Sequence, residues 1–322
     1  MNKSAAIQQI NTLASSGVPF LLITDFKCTQ NYVLPLDQID SEEILYSING
    51  NGNSNKDNCA EPIKLSREPM PFEDFRGKFD QVHKEISEGN TYLLNLTQPT
   101  PIKTDKSLLD IFHHSKAKYK LWFKNQFVVF SPEIFVQIEN GKISSFPMKG
   151  TIDADLPNAA ELLLSSEKEM AEHATIVDLI RNDMSQFANQ VHVEKFRYLD
   201  EIRTSEKHLL QVSSKITGQL NTDYLNELGD IIYSLLPAGS ISGAPKKKTL
   251  EIIESVEKYE RGYYTGIVGF FDGQNFDSGV MIRFIENQEG NKVYKSGGGI
   301  HFLSDARSEY QEMIDKVYVP VH

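Results

Sequence analysis

The sequence predicts an α+β fold dominated by antiparallel strands. Two strand–turn–strand patterns and two helical patterns carry that prediction. Strand-like runs at 134–138 and 142–146 flank Asn140-Gly141, a dipeptide that closes tight hairpins because both residues tolerate positive φ. Runs at 264–271 and 276–285 flank Asp272-Gly273-Gln274-Asn275, and the second of these carries Arg283. Helical spacing appears in Phe72, Phe75, Phe79, Val82 and Ile86, with Gly89 as the stop. It appears again across 158–188, where Leu162, Ile176, Leu179 and Ile180 mark the apolar stripe.

Composition bounds the function. The chain has 322 residues, of which 40% are hydrophobic and 24% charged, enough for a sizeable core. A formal net charge of -11 argues against nucleic-acid binding, which calls for a basic face. It leaves room for a small anionic substrate, because a local group of Lys and Arg can outweigh the global sign. Cys28 and Cys59 offer no disulfide framework or metal spacing. The first residues are polar, and no apolar run reaches the roughly 18 residues that a membrane span needs. A cytoplasmic protein is the expectation.

In chain order, residues 1–48 read as a short helix followed by strands at 18–24 and 44–48. The Asn- and Gly-rich stretch 49–58 reads as a mobile loop. Residues 1–71 are expected to form a short N-terminal segment of the same fold, and 72–322 the catalytic domain. After the 72–88 helix come strands at 91–97, 119–123 and 127–130, then the Asn140-Gly141 hairpin. Strands at 191–196 and 208–216, a helix at 224–235 and a helix at 247–257 follow. Pro237 to Lys246 looks like a phosphate loop, but Lys246 does not follow the second glycine as G-x-x-x-x-G-K-[ST] requires. Nucleotide binding is rejected on this motif.

Several polar positions stand out. Lys149 ends the second strand of the first hairpin, just before Gly150, which lets the backbone turn or approach a ligand. Glu133 lies one hairpin away, so strand register can bring their surroundings together. Glu169, Glu172 and Ile176 sit at i, i+3 and i+7, which turns Glu172 inward, where a carboxylate is costly unless it meets a cation or donors. Gly297-Gly298-Gly299, expected to follow a strand at 292–295, offer backbone N–H groups to a carboxylate. Glu309, Glu312 and Lys316 share one face of a terminal helix over 305–317.

Taken together, these stretches resemble the chorismate-utilising enzymes, the family of anthranilate synthase component I and aminodeoxychorismate synthase component I. The matching segments are Asn95-Leu96-Thr97, Ser131-Pro132-Glu133, Pro147-Met148-Lys149-Gly150-Thr151, Ala171-Glu172-His173, Ile176 to Asp183 and His208 to Ser213. Pro237 to Lys246, Tyr264-Thr265-Gly266, Gly297 to Ile300 and Glu309 to Glu312 complete the set, in family order over roughly 72–320. The resemblance implies two large antiparallel-rich sheets packed face to face, with helices outside.

Lys149 is the discriminating position in this resemblance. Anthranilate synthases carry alanine there, and aminodeoxychorismate synthases carry lysine. The implied reaction replaces the 4-hydroxyl of chorismate with an amine, on the route to p-aminobenzoate and folate. Lys149 is then the nucleophile and Glu133 the general acid. Mg²⁺ is held by Glu172 and Glu312, with Glu309 nearby. Thr151, His208, Tyr264, Arg283, Gly297, Gly298, Gly299 and Lys316 are the implied substrate contacts, with His208 in a positioning role. The implied partner is a glutamine amidotransferase subunit that supplies ammonia. Leu93 stands where family members often have glutamine, which argues against a water-activating residue on that strand and so against isochorismate synthase. The segment before residue 72 is short for a tryptophan-binding subdomain, which leans away from anthranilate synthase. Both remain the alternatives, with a catalytically silent chorismate- or partner-binding protein as the alternative of another kind.

Overall fold

A computed structural model describes residues 1–54, 63–203 and 208–320. Cys59 and positions 55–58 of the expected loop lie outside the described residues. The chain forms two compact units that exchange the polypeptide several times. Residues Met1–Ile39, Glu133–Gly239 and Thr265–Val280 make one; Asp40–Pro132, Ser240–Tyr264 and Met281–His322 make the other. Residues 1–71 therefore contribute to both units, and the chain does not cross between them at 71/72.

Each unit is built on its own nine-stranded antiparallel sheet. The first runs in the order Met148–Asp153, His208–Gln219, Lys142–Ser145, Ile134–Glu139, Phe276–Val280, Ile267–Phe271, Phe20–Thr24 and Asn31–Pro35. Asn189–Arg203 pairs with His208–Gln219 beside this path. All five residues of Phe20–Thr24 are buried, and the strand is paired along both edges. Asn140 and Gly141 turn the hairpin at φ 50° and 77°, as the dipeptide predicts.

The second sheet runs Gly243–Ala244, Leu93–Lys103, Asn291–His301, Phe284–Gln288, Phe127–Ser131, Tyr119–Phe123, Ile44–Ile48 and Asn51–Gly52, with Ser66–Arg67 pairing Leu93–Lys103. Helix Phe72–Ser87 buries Phe75, Phe79, Val82 and Ile86. These join Leu94, Leu96 and Ile300 of the sheet, Ile252, Ile253 and Val256 of helix Lys246–Glu257, and Met313 of helix Ala306–Asp315 in one apolar cluster. The phosphate-loop look-alike is explained by packing. Gly243 pairs with Leu94, and a Cβ on it would lie 1.9 Å from the Leu93 carbonyl oxygen.

Three expected elements differ. The long helix over 158–188 is two helices, Ala159–Ser165 and Glu167–Met184. Ser166 breaks it by adopting an extended backbone (ψ 113°) and accepting from Glu169 N with its hydroxyl, an N-cap that competes with helix continuation. Leu162, expected inward, is 53% exposed, and Leu163 is buried instead. The run 276–285 is two strands in different sheets, and Arg283 sits in the link at φ 53°. The three glycines lie within strand Asn291–His301, not after it. Among the described residues no helix is long and apolar enough to cross a membrane.

The helix pair at the edge of the first unit is tight. A Cβ on Gly229, in helix Leu228–Ser234, would lie 2.6 Å from the Ile7 carbonyl oxygen of helix Lys3–Ser15. Gly229→Ala is expected to cost ~1–3 kcal/mol by overpacking, read as a lower midpoint in urea unfolding; an unchanged midpoint contradicts it.

Candidate functional site

In the first unit, Lys149 continues the edge begun by Lys142–Ser145. Ser145 pairs with Ile216, Met148 with Ser213 and Lys149 with Val212, while the Pro147 carbonyl accepts from Ser214 N. The ladder then slips by one residue between Lys149 and Thr151. Gly150 is the extra residue, at φ 76°, so the predicted turning glycine is the centre of a β-bulge that re-aims the side chains beside it.

Helix Glu167–Met184 packs over that bulge. Lys149 Nζ lies 2.6 Å from Glu172 Oε1, with the two side chains 15% and 8% exposed. This is the cation that the inward carboxylate required. A Cβ on Gly150 would meet Glu169 Oε2 at 2.8 Å and Leu163 Cδ1 at 3.2 Å. Glu169 and Glu172, one turn apart, therefore both reach the bulge, around one lysine. Glu169 was not among the predicted site residues, although its i, i+3 spacing from Glu172 was the available signal.

His173 follows Glu172 and is buried, its Nε2 2.6 Å from Ser214 Oγ. Ser214 Oγ also accepts from Arg197 N. Burial first, then the positive charges of Arg197 and Lys149, push the imidazole down to about 4. Glu133 is half-buried at the head of Ile134–Glu139, and its carbonyl accepts from Val280 N. Thr151 is exposed opposite Gln211. His208 lies four register positions from the residue opposite Lys149, about 13 Å along the strand, with Asp155 Oδ1 3.4 Å from Nδ1 and Glu201 Oε2 3.6 Å from Nε2.

In the second unit, Gly297, Gly298 and Gly299 pair with Thr97, Leu96 and Asn95. Successive N–H groups of a strand alternate between its edges, so these glycines do not form the continuous cradle that their sequence suggests. Their bare Cα atoms serve close approach. A Cβ on Gly297 would lie 2.3 Å from Leu96 O, and one on Gly298 would lie 3.2 Å from Glu309 Oε2 and 3.7 Å from Glu312 Oε1. Two carboxylates thus converge over Gly298. Glu309 is buried and accepts from Ser304 Oγ, while Glu312 Oε1 lies 2.6 Å from Lys316 Nζ, which also donates to the Gly297 carbonyl.

Arg283 places its guanidinium over the Tyr318 ring, 5.2 Å from the centroid, and its Nε is buried without a hydrogen-bond partner. Burial opposes its charge, but Tyr318, Tyr294 and Tyr264 outweigh that and hold it above the usual arginine range. Tyr264 is buried, with its ring centroid 5.8 Å from that of Phe284. A half-buried guanidinium stacked on Tyr318, with its Nε unpartnered, suits an incoming carboxylate.

Among the described residues no three His, Cys, Asp or Glu side chains gather as a metal-holding group. The carboxylates come in pairs, Glu169 with Glu172 and Glu309 with Glu312. Hard oxygen pairs of this kind fit Mg²⁺, which takes one or two carboxylates and completes its shell with water or substrate.

Residues 28–322 match the family of chorismate binding enzymes. A Haemophilus influenzae protein named an uncharacterized PabA-like protein is 47% identical over 98% of this chain and 96% of its own. Aminodeoxychorismate synthase component 1 of Bacillus subtilis is 30% identical over 78% of this chain and 55% of its own. Among solved structures, anthranilate synthase component I from Streptococcus pneumoniae shares the fold, with a TM-score of 0.69 at 20% identity over 92% of this chain and 89% of that one.

His173 makes stability depend on pH. Its folded pKa of about 4 lies below the ordinary 6.5, so between these values the unfolded chain binds more protons and stability rises with pH. The contribution is complete above pH 6.5 and is lost as pH falls towards 4. Its full size is on the order of 3 kcal/mol. His173→Gln is expected to flatten the unfolding free energy across that window, and an unaltered slope in urea titrations contradicts the assignment.

Proposed function

We propose, from the premise that the chain belongs to the chorismate binding enzyme family, that it is an aminodeoxychorismate synthase component I, replacing the 4-hydroxyl of chorismate with an amine. The observation that carries this reading is Lys149, a shielded amine at a glycine bulge, at the position where the resemblance distinguishes lysine-bearing aminodeoxychorismate synthases from alanine-bearing anthranilate synthases. The Bacillus subtilis relative's name supports the same reaction.

Chorismate is a dicarboxylate, and Arg283, stacked on Tyr318 with its Nε unpartnered, is the residue to grip one carboxylate. The neutral Lys149 amine bonds to ring carbon 2 while the C4–O bond breaks, and Glu133 protonates the departing hydroxyl so that it leaves as water. Ammonia then bonds to carbon 4, the C2–N bond breaks, and Lys149 is released as an amine. Dividing the substitution in this way makes two easier steps from one hard one. Glu172, 2.6 Å from Nζ, favours the ammonium, so Lys149 is held inactive until that carboxylate is engaged elsewhere. Mg²⁺, which the resemblance implies at Glu172 and Glu312 with Glu309 nearby, would offset substrate charge. Thr151, His208, Lys316 and Gly297 to Gly299 complete the substrate contacts in this reading. A glutamine amidotransferase partner supplies the ammonia, a reading in keeping with the "component 1" in the relative's name.

The test is product identification by mass spectrometry from chorismate, Mg²⁺ and ammonium at mildly alkaline pH. Aminodeoxychorismate from the native chain, and far less from Lys149→Ala, is the expected outcome. Anthranilate with pyruvate overturns it. Glu133→Gln should lower turnover by ~10²-fold or more if Glu133 is the acid; undiminished turnover removes that role.

A further inference from the structure

Lys295 is a buried cation that the proposed reaction does not use. It stands in strand Asn291–His301 one residue before Ser296-Gly297, with its side chain 1% exposed. Burying an ammonium is costly unless all its donors are satisfied. Here Nζ lies 2.8 Å from Glu286 Oε2, 2.9 Å from the Arg261 carbonyl and 3.3 Å from the Glu260 carbonyl. The rings of Tyr259 and Phe284 flank it at 5.6 and 5.7 Å. Two of its three acceptors are thus backbone atoms of one turn, the segment between helix Lys246–Glu257 and Tyr264.

That turn is irregular and held from a second side. Lys258 and Gly262 both have positive φ, at 56° and 59°. Arg261 lies fully buried, with its Nε and Nη2 donating to the two carboxylate oxygens of Glu257 at 2.8 and 2.7 Å. Its remaining donors reach the Asn95 and Ile241 carbonyls at 2.7 and 2.9 Å. The Arg261 carbonyl accepts twice, from Lys295 Nζ and from Tyr264 N at 3.2 Å. Tyr264, at the end of the turn, sets its ring 5.8 Å from that of Phe284, the residue that follows Arg283.

We propose that Lys295 and Arg261 are positioning residues that clamp the 258–264 turn and so fix Tyr264 against Phe284, the chain neighbour of Arg283, setting the affinity for the anionic substrate. A charge placed there only to fill the core would have no reason to spend two donors on the carbonyls of one turn. A hydrophobic residue of similar volume serves packing as well or better. The inference rests on the reading of Arg283 and Tyr264 as the carboxylate grip.

The test uses the full chain with chorismate and Mg²⁺. The double variant Lys295→Met, Glu286→Gln removes both charges and leaves no unpaired carboxylate. Folding is checked by circular dichroism. The calorimetric Kd for chorismate is expected to rise about tenfold, the size of one charge-assisted hydrogen bond, while kcat at saturating chorismate and ammonium stays within about twofold. Arg283→Met is run beside it. If Arg283→Met leaves Kd unchanged, the carboxylate-grip reading fails. If Arg283→Met weakens binding and the folded double variant does not, the clamp is overturned and the grip stands. Should the double variant not fold, Gly262→Ala perturbs the same turn through strain at φ 59° and contact with Glu286 Oε1 at 3.6 Å. It must weaken chorismate binding in the same way, and an unchanged Kd there overturns the clamp.

Discussion

The ion pair between Lys149 and Glu172 constrains everything around it in the first unit. Both groups are shielded from water, so neither can be charged cheaply alone, and separating them by removing one partner costs ~3–5 kcal/mol in a fully buried pair. Holding Nζ and Oε1 2.6 Å apart requires a strand edge and a helix to meet at a fixed depth. The β-bulge at Gly150 and the helix break at Ser166 are the two local departures that achieve this. The bulge turns Lys149 toward the helix. The new N-cap sets where Glu169 and Glu172 fall, and Arg197 ties down the preceding helix by donating to the Leu163 and Leu164 carbonyls.

The second unit meets a related problem at Arg261 and Lys295, which are buried, and at the half-buried Arg283. Arg261 is neutralised by a bidentate carboxylate, and Lys295 by one carboxylate and two carbonyls. Arg283 differs. Its guanidinium lies over the Tyr318 ring, and among the described residues no ion pair to a carboxylate occurs there. Arg283 thus keeps donors that an external anion could take in the proposed reading, whereas the other two cations are committed to internal partners.

Much of this was legible in the sequence because it depends on local rules. The Asn140-Gly141 hairpin, the 72–87 helix and the presence of Lys149 before a turning glycine follow from φ preferences and apolar period. Glu172 was readable as an inward carboxylate in need of a cation. Other features escaped for stated reasons. Ser166 lies inside a run whose propensity is helical, and only its hydroxyl's use as a cap ends the first helix. Arg283 follows a strand pattern that continues through it, yet the chain leaves one sheet for the other there. The three glycines carry a strand register set by Leu93–Lys103, which no local pattern in the glycines themselves announces.

The sequence by itself determined the α+β class, most hairpins and helices, and the residue types of the chemistry, since each rests on neighbours a few positions apart. It also carried the ordered motifs by which the family is recognised. Tertiary structure alone decided partners. That Lys149 meets Glu172, that Glu309 and Glu312 converge over Gly298, and that Lys295 grips the carbonyls of Glu260 and Arg261 are contacts between residues 11 to 35 positions apart. Even the near ones depend on where a strand or helix face is turned. Burial makes an unpartnered charge costly, but only the packed elements choose the partners.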